Sequence, residues 1–362
     1  MPRRVIHTTW CLVPALLATV GVSPVQAQTQ MDLEVSPGLT TEIEVAERTM
    51  RRFGLAELGA KPEGAVRLTT YNVLNLFDGL DDPHYSGDVD DLDDEKPLHE
   101  LVAVARAIRA VDADVLCLEE VESGEAVAAF RDRFLADMGY EYLAAIDAGG
   151  PRGIEQAVLS RFPLSEPTNW ANKSLGGVHP EKYGNGTNWY AGQPIEFRRS
   201  PMRVDVKIPS TAGASTTLTL FVVHHKSGFY NHYWREAEAK TMVGLLEPLL
   251  ADPEARFVVL GDFNADVSND SVRAYLDAGL ADAFAGASES DPEFITHESG
   301  RRIDLMLLSP ALTERRIKGS GGVLGTAARE EGVDWRDLPT FVGMGSDHYP
   351  VSVDLRLGRN EE

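Results

Sequence analysis

Short apolar runs rich in β-branched residues alternate along the chain with longer segments of helical periodicity, from about residue 65 onward. The first run predicts a strand from Val66 to Val73, and further strands are expected at 114–118, 155–160, 202–208, 217–223, 256–260, 302–308 and 350–355. Helices are expected after Leu98, from Ser123 to Met138, and over 233–249 and 270–278. This interleaving predicts an α/β fold in which helices cover the sheets.

The N-terminus has the pattern of a secretory signal over residues 1–27. A basic start is followed by an apolar stretch from Trp10 to Val22 and by small residues that end at Ala27. The stretch is shorter than the roughly 20 residues that a membrane anchor needs. We therefore expect a secreted or periplasmic protein without a stable membrane span after cleavage, with a polar leader over 28–64 and one large domain over 65–358.

Acidic residues outnumber basic ones, at 56 Asp and Glu against 34 Lys and Arg, which gives a net charge of −22. Such a surface repels polyanions at long range, although a divalent metal or a local basic patch reverses the field at a site. Signal cleavage would remove Cys11 and leave Cys117 as the single thiol. A disulfide within the chain is therefore not expected, and Cys117 is expected in the core because its neighbours are apolar.

Polar residues follow several of the apolar runs, where strand ends would place them at the edge of a sheet. They are Asn72, Glu119, Glu120, His224, His225, Asp262, Asn264, Asp304, Asp347 and His348. Asp304 is distinctive because apolar residues surround it, and a buried carboxylate needs a partner. A buried histidine would satisfy Asp304 and would itself be oriented as a general base.

Taken in order, these motifs resemble the endonuclease/exonuclease/phosphatase superfamily of deoxyribonuclease-I-like, metal-dependent phosphoesterases, and look most similar to its secreted bacterial nuclease-like members. The matching segments are TYNVLNLFD at 70–78, DVLCLEEVE at 114–122, HHKSG at 224–228, LGDFNAD at 260–266, RRIDLML at 301–307 and GSDHYPV at 345–351. The resemblance implies a four-layer α/β sandwich, in which two mixed β-sheets pack face to face with helices on the outside. The domain over 65–358 would then be the catalytic one.

The resemblance also implies a role for each matching residue. Glu120 would be the main ligand of Mg²⁺ or Mn²⁺, assisted by Asn72 and Asp347. His348, held by Asp304, would take a proton from the attacking water.

Three further residues would act on the phosphate. Asp262 and Asn264 would position it together with the attacking water. His224 would donate to a non-bridging oxygen or protonate the leaving group. His225 lies where the family often has an apolar residue, and a surface or core position is favoured for it.

The sequence departs from the family pattern at Glu119, where the family usually has Gln. Neighbouring residues on a strand point to opposite faces. We therefore expect only one of Glu119 and Glu120 to enter the site, and the match to the family acid favours Glu120.

Two segments fit neither the strands nor the helices. Residues 81–95 carry eight acidic groups and no basic one, which favours a solvated loop. A Ca²⁺ loop is the alternative, although the EF-hand pattern with its central Gly is absent. Residues 165–200 are aromatic and locally basic, and they form either a surface insertion or a substrate-facing loop with Trp170, Trp189 and Tyr190 as stacking surfaces.

These features together indicate an exported, divalent-metal-dependent phosphodiesterase, with nuclease action on DNA or RNA as the favoured reading. A lipid-headgroup phosphodiesterase or a phosphatase, acting on a phospholipid or a small phosphoester, is the alternative on the same fold. No segment predicts an exposed apolar hairpin for membrane docking. A non-catalytic binding module would be expected to lose His348, Asp262 or Glu120, and all three are present. Endo or exo action, metal number and oligomeric state stay open.

Overall fold

The structure is a computed structural model that describes residues 51–80, 84–85, 95–209, 215–329 and 343–357. The predicted signal, most of the leader and nearly all of the acidic segment 81–95 lie outside the described residues. The Ca²⁺ alternative for that segment therefore stays a prediction. No helix in the described part of the chain is long and apolar enough to cross a membrane.

The described residues form fifteen strands and five α-helices. The strands are β1 (Val66–Leu76), β2 (Val115–Val121), β3 (Tyr142–Ile146), β4 (Glu155–Ser160), β5 (Ser174–Val178), β6 (Lys182–Tyr183), β7 (Gly186–Thr187), β8 (Pro194–Glu196), β9 (Met202–Ile208), β10 (Thr216–His224), β11 (Phe257–Asp262), β12 (Ala281–Asp282), β13 (Asp304–Leu308), β14 (Gly322–Val323) and β15 (Val351–Leu355). The helices are α1 (Leu98–Val111), α2 (Gly124–Phe134), α3 (His232–Leu250), α4 (Asp270–Asp277) and α5 (Pro310–Thr313), with short 3-10 turns at Phe229–Asn231 and Pro292–Phe294.

Two mixed sheets form the centre of the molecule. The first has the spatial order β14-β15-β1-β2-β4-β3, and the second has the order β12-β13-β11-β10-β9. Parallel pairing joins β1 to β2 and β10 to β11, whereas the other pairs are antiparallel. Two small ribbons, β5–β8 and β6–β7, lie within the 165–200 segment. The predicted four-layer α/β sandwich is confirmed.

Three apolar clusters separate the layers. Inward side chains such as Leu68 and Val222 pack between the two sheets, and the buried free thiol of Cys117 lies with them as expected. Leu118 belongs to the cluster between the first sheet and helices α1 and α2, and Val223 to the cluster between the second sheet and helices α3 and α4. Because both faces of the central strands are buried, those strands are continuous apolar runs.

Helix α2 begins at the predicted N-cap, since the Ser123 Oγ accepts a hydrogen bond from the Ala126 N–H at 2.9 Å. It ends at Phe134, four residues before the predicted end at Met138. Leu135 has left the helical conformation, with φ −130°, and its side chain is fully buried. Burial of Leu135 therefore takes precedence over the helical periodicity of the sequence.

Residues 51–64 pack against the domain, although the sequence prediction starts the domain at 65. The Gly54 N–H donates to the Pro292 carbonyl at 2.8 Å, and the Leu55 N–H donates to the Val323 carbonyl at 2.8 Å. The segment therefore covers the β14 edge of the first sheet.

A buried ion pair joins β1, which carries Asn72, to β15, which follows His348. Arg67 on β1 donates through Nε and Nη2 to the two carboxylate oxygens of Asp354 on β15, each at 2.8 Å. The Arg67 side chain is 3% exposed and that of Asp354 is 0% exposed. Removing one member of such a pair leaves an uncompensated buried charge.

We expect Asp354→Asn to lower the free energy of unfolding by about 3–5 kcal/mol, because the guanidinium of Arg67 stays buried without its counter-charge. Urea unfolding followed by circular dichroism measures the change. Asp137→Asn is the matched control, since Asp137 pairs with Arg109 at the surface and should change the unfolding free energy little. Equal effects of the two substitutions would contradict this account.

Candidate functional site

The site forms where the ends of strands from both sheets meet. In the second sheet, Asp262 at the end of β11 pairs with His224 at the end of β10 and with Asp304 at the start of β13. In the first sheet, Asn72 lies on β1, and His348 precedes β15. Strand register thus aligns the residues of the second sheet, and packing of the two sheets places Asn72 and His348 beside them.

His348 and Asp304 form a buried dyad. The Nδ1 of His348 lies 2.9 Å from both carboxylate oxygens of Asp304. A carboxylate at Nδ1 favours the proton on that nitrogen and leaves Nε2 as the basic atom. Nε2 lies 3.9 Å from Oδ2 of Asp262 and 3.9 Å from Oδ1 of Asp347. Burial disfavours the imidazolium, but the charges of Asp304, Asp262 and Asp347 outweigh it and raise the pKa of His348 well above its ordinary value.

Two hydroxyl groups hold the backbone of the dyad in place. The Thr296 Oγ1 accepts from the N–H groups of Ile303 and Asp304, at 2.9 and 3.0 Å. The Ser346 Oγ accepts from the His348 N–H at 3.0 Å and donates to the Asn72 carbonyl at 2.8 Å. The dyad is therefore fixed before any substrate arrives.

Asp262 and Asn264 form one hydrogen-bonded unit. The Asn264 N–H donates to Oδ1 of Asp262 at 2.7 Å, and its Nδ2 donates to Oδ2 at 2.9 Å. Asn264 adopts φ +51°, a left-handed conformation that asparagine tolerates. Burial, with the neighbouring charge of Asp304, raises the pKa of Asp262. A cation in the cleft would offset that effect.

His224 lies between the carboxylates of the two sheets. Its Nε2 is 3.4 Å from Oδ2 of Asp262 and 3.6 Å from Oε1 of Glu120. Burial lowers the pKa of His224 well below its ordinary value, and the positive charges of Arg199 and Arg152 lower it further. His224 is therefore a neutral N–H donor at physiological pH, which favours the first of its two predicted roles over protonation of the leaving group.

Glu120 reaches the cleft through a β-bulge. Cys117 faces inward and Leu118 outward, so strict alternation would turn Glu119 inward and Glu120 towards the helices. The strand register shifts between Glu119 and Val121, and Glu120 has φ +61°. The bulge turns the Glu120 carboxylate into the cleft, where it pairs with Arg152 at 3.1 Å.

Of the two glutamates, Glu120 alone places its carboxylate in the cleft, although a bulge and not strand alternation puts it there. Glu119 lies beneath the cleft, fully buried, and its Oε1 accepts from the Thr70 Oγ1 at 2.6 Å. Burial raises the pKa of Glu119 well above its ordinary value and so favours the neutral form of this carboxyl. Gly261 makes room for it: a Cβ there would lie 2.9 Å from Oε1 of Glu119 and 2.1 Å from the Val223 carbonyl oxygen.

The three predicted metal ligands lie around the cleft with separate partners. Asn72 Nδ2 is 3.4 Å from Oδ2 of Asp262. Asp347 Oδ2 is 3.3 Å from Nε2 of His297. Burial opposes ionisation of Asp347, but the hydrogen bond from His297 and the charge of His348 hold its pKa below the ordinary value. Glu120 interacts with Arg152 and His224.

The donor atoms fit a hard divalent cation. Asp347 Oδ1 is buried and has no hydrogen-bond partner, so it is available to a metal. Two groups of His and Asp donors have atoms within 4.8 Å of one another, namely His297, Asp347 and His348, and Asp262, Asp304 and His348. Carboxylate and amide oxygens without a nearby thiolate suit Mg²⁺ or Mn²⁺.

Sequence reasoning missed two site residues, His297 and Arg152. His297 pairs with Asp347, and its ring lies 4.5 Å from that of His348. A polar pair, Thr296-His297, shortly before the buried Asp304 could have indicated from the sequence that His297 lies at the site. Arg152 reaches Glu120 from the loop between β3 and β4, where no local pattern indicates it.

The 165–200 segment carries its aromatic residues in three different environments. Trp170 stacks on Phe221, with ring centroids 6.1 Å apart, so its interpretation as a stacking surface is wrong. Tyr190 packs against His179 and Trp234. Trp189 is 92% exposed. Of these three rings, that of Trp189 is therefore the one most open to solvent.

Comparison with known proteins gives a family and a set of similar folds. The model of the endonuclease/exonuclease/phosphatase family matches residues 69–348. No curated protein matches the chain. The similar solved structures have low sequence identity to this chain, so their likeness shows the fold alone.

Three of the similar solved structures cover most of the chain. The human nocturnin catalytic domain with bound sulfate is 15% identical with a TM-score of 0.50, over 85% of this chain and 97% of that one. The Bacteroides thetaiotaomicron family protein is 16% identical with a TM-score of 0.51, over 80% and 97%. The Beutenbergia cavernae protein is 18% identical with a TM-score of 0.50, over 81% and 72%. With the family model spanning most of its length, the chain belongs to the endonuclease/exonuclease/phosphatase family, whose members are metal-dependent phosphoester hydrolases.

Proposed function

We propose that the protein is an exported, Mg²⁺- or Mn²⁺-dependent phosphodiesterase that hydrolyses DNA or RNA. The observation that carries the proposal is the Asp304–His348 dyad, whose Nε2 faces the cleft between Asp262 and Asp347. A buried imidazole oriented by a carboxylate is suited to take a proton from water. The signal pattern of residues 1–27 supports export to the periplasm or the medium.

Hydrolysis begins with water attack on phosphorus. The water oxygen forms a bond to phosphorus, and Nε2 of His348 takes a water proton. Asp304 stabilises the imidazolium that results. Asp262 and Asn264 orient the water and the phosphate, since both lie within the same hydrogen-bonded unit at the cleft.

The ester bond then breaks on the opposite side of the phosphorus. The leaving oxygen keeps the bonding electrons and gains a proton from solvent, while His348 later returns its proton to water. The neutral His224 N–H donates to a non-bridging oxygen as negative charge builds there.

Glu120, Asn72 and Asp347 would hold the metal ion. When bound, the ion neutralises charge on the phosphate and the leaving oxygen. A metal ion would compete for the Glu120 carboxylate with Arg152, whose side chain is 40% exposed. Asp347 offers its unpartnered Oδ1.

Nucleic acid is favoured over a phospholipid or a small phosphoester as substrate. Basic side chains gather around Lys226, in the loop after His224, although the chain as a whole has a net charge of −22. Such a local patch favours a polyanion. A lipid-headgroup phosphodiesterase or a phosphatase is the second candidate, since Trp189 and Phe229 are exposed.

Exhaustive treatment with EDTA should abolish hydrolysis, and Mg²⁺ or Mn²⁺ should restore it, because the buried carboxylates need a cation at the reacting phosphate. The measurement uses plasmid, single-stranded DNA, RNA, sphingomyelin and an inositol phosphate as parallel substrates. Full turnover after chelation would overturn the mechanism. Nucleic acids left intact beside a hydrolysed phospholipid would replace the nuclease with the second candidate.

Substitution of a residue that only supports a metal ligand usually lowers activity or metal affinity by roughly 10–100-fold. Because Glu120 would contact the metal itself, Glu120→Gln should reduce kcat/KM by more than that. Glu119→Gln is the matched control one residue away. Because burial favours the neutral form of the Glu119 carboxyl, its amide should retain most of the activity. A greater loss for Glu119→Gln would show that the two roles are exchanged.

Asp304→Asn should lower kcat by ~10²–10⁴-fold and move the acidic limb of the pH–rate profile to lower pH. The base acts when neutral, so the rate rises through the pKa of His348, which the Asp304 charge raises. Removing that charge lowers the pKa, and deprotonation then occurs at lower pH. A limb that stays in place or moves to higher pH would contradict the dyad.

A further inference from the structure

Five basic side chains surround the loop that follows His224. They are Arg198, Arg199, Lys226, Arg235 and Arg301. None of them forms an ion pair with a carboxylate in the described part of the chain. On a chain of net charge −22, an excess of positive charge at this point is the reverse of the general trend.

Two of these cations are buried and hold the loop by its backbone. Arg199 is 7% exposed and donates to the carbonyls of His224 and His225, at 3.2 and 3.0 Å. Arg235 is 5% exposed and donates to the carbonyls of Lys226 and Gly228, each at 2.9 Å. The carbonyl groups accept from these guanidinium groups but carry no full charge. The carboxylates that act on Arg199 and Arg235, above all Glu120 and Glu238, do so without a direct ion pair.

The carboxylate that lies among these groups is already engaged. Glu238 accepts from the N–H groups of Lys226 and Arg198, at 2.9 and 3.4 Å, and lies 3.3 Å from Nδ1 of His225. Burial lowers the pKa of Lys226 to about 8, and the charges of Arg199 and Arg198 add to the effect. An anion beside Lys226 would relieve this repulsion.

An aromatic surface continues from the same loop, and we call its three rings, Phe229, Tyr230 and Tyr183, the Phe229 surface. Phe229 is 86% exposed and Tyr230 is 45% exposed. The ring centroids of Phe229 and Tyr230 are 5.2 Å apart, and those of Tyr230 and Tyr183 are 5.7 Å apart. Monomeric proteins rarely expose such clustered apolar rings without a partner.

The β6–β7 ribbon fixes this surface in place. Asn231 Nδ2 donates to the Tyr183 hydroxyl at 3.0 Å and to the Ser227 carbonyl at 2.5 Å. Gly184 lies so close to the Tyr230 ring that a Cβ there would be 2.7 Å from it. Tyr183 and Tyr230 are thus held in place, and Phe229 packs on the Tyr230 ring, which lowers the entropy loss on binding.

We propose that this loop and the Phe229 surface bind a single-stranded polynucleotide beside the bond that is cleaved. Lys226 and Arg198 contact a neighbouring phosphate, and Phe229 stacks on the base that follows. The inference rests on the proposed nuclease function and names its substrate form. Unpaired cations next to exposed rings suit a strand that offers phosphates and unstacked bases together, whereas a duplex keeps its bases stacked inside.

The test measures binding of a fluorescein-labelled single-stranded DNA 12-mer in the His348→Ala background, by anisotropy across a salt series. Phe229→Ala should weaken binding about tenfold. Phe229→Leu should weaken it almost as much, since leucine keeps the apolar area but cannot stack. Lys226→Ala should reduce the slope of log K against log salt by about 0.7, the value for one phosphate contact on a single strand.

Lys240→Ala on helix α3 is the matched control for charge, because Lys240 is exposed and outside the loop. It should leave affinity and salt slope unchanged. In protein with His348 intact, Phe229→Ala should lower the ratio of kcat/KM on the 12-mer to that on bis(4-nitrophenyl) phosphate about tenfold. A structural defect would lower both values together and leave the ratio unchanged.

Wild-type affinity in Phe229→Ala and Lys226→Ala, or retention of affinity in Phe229→Leu, would overturn the inference. The inference would also fail if Phe229→Ala lost binding to phosphatidylglycerol vesicles but kept its affinity for the 12-mer. The Phe229 surface would then bind lipid. The proposed function fails separately, if the wild-type protein with Mg²⁺ hydrolyses neither the 12-mer nor the small diester. Its failure would not affect the anisotropy result, which needs no hydrolysis.

Discussion

Burial of several carboxyl groups in one cleft is the constraint on which the site depends. Glu119, Asp262, Asp304 and Asp347 all lie at the edge where the two sheets meet, and isolated buried carboxylates are strongly unfavourable. Each has its own partner: the Thr70 hydroxyl for Glu119, the Asn264 donors for Asp262, His348 for Asp304 and His297 for Asp347. The acceptor atoms that remain without a donor favour binding of a cation. A cation bound there would in turn stabilise the charge of a phosphate group.

The two-sheet framework supplies rigidity, and local departures from it supply reactivity. The strand pairing of β10, β11 and β13 sets His224, Asp262 and Asp304 in register without any loop. Glu120 depends instead on a bulge and a left-handed backbone conformation. Backbone irregularity beside an active site is a usual way to redirect a side chain. The catalytic loop after His224 is held by buried arginines whose charges stay available to a substrate.

Sequence could predict those parts of the protein that follow from local pattern. The apolar strands, the Ser123 cap and the need of Asp304 for a buried histidine all follow from periodicity and charge burial, and the structure has each of them. The bulge at Glu120 could not be predicted, because alternation gives no sign of an extra residue. The packing of Trp170 on Phe221 could not be predicted, because an aromatic residue in a polar segment gives no indication of core packing. His297 and Arg152 reach the site only through tertiary contacts between distant loops.

We expect the carboxylates of this cleft to hold a catalytic divalent ion through Glu120. Anomalous diffraction from crystals soaked in Mn²⁺ would locate the ion without reference to activity. The peak should lie in contact with the Glu120 carboxylate and with Asp347, and it should be lost in Glu120→Gln. A peak confined to His297, Asp347 and His348, or one that persists in Glu120→Gln, would show that Glu120 does not hold the ion.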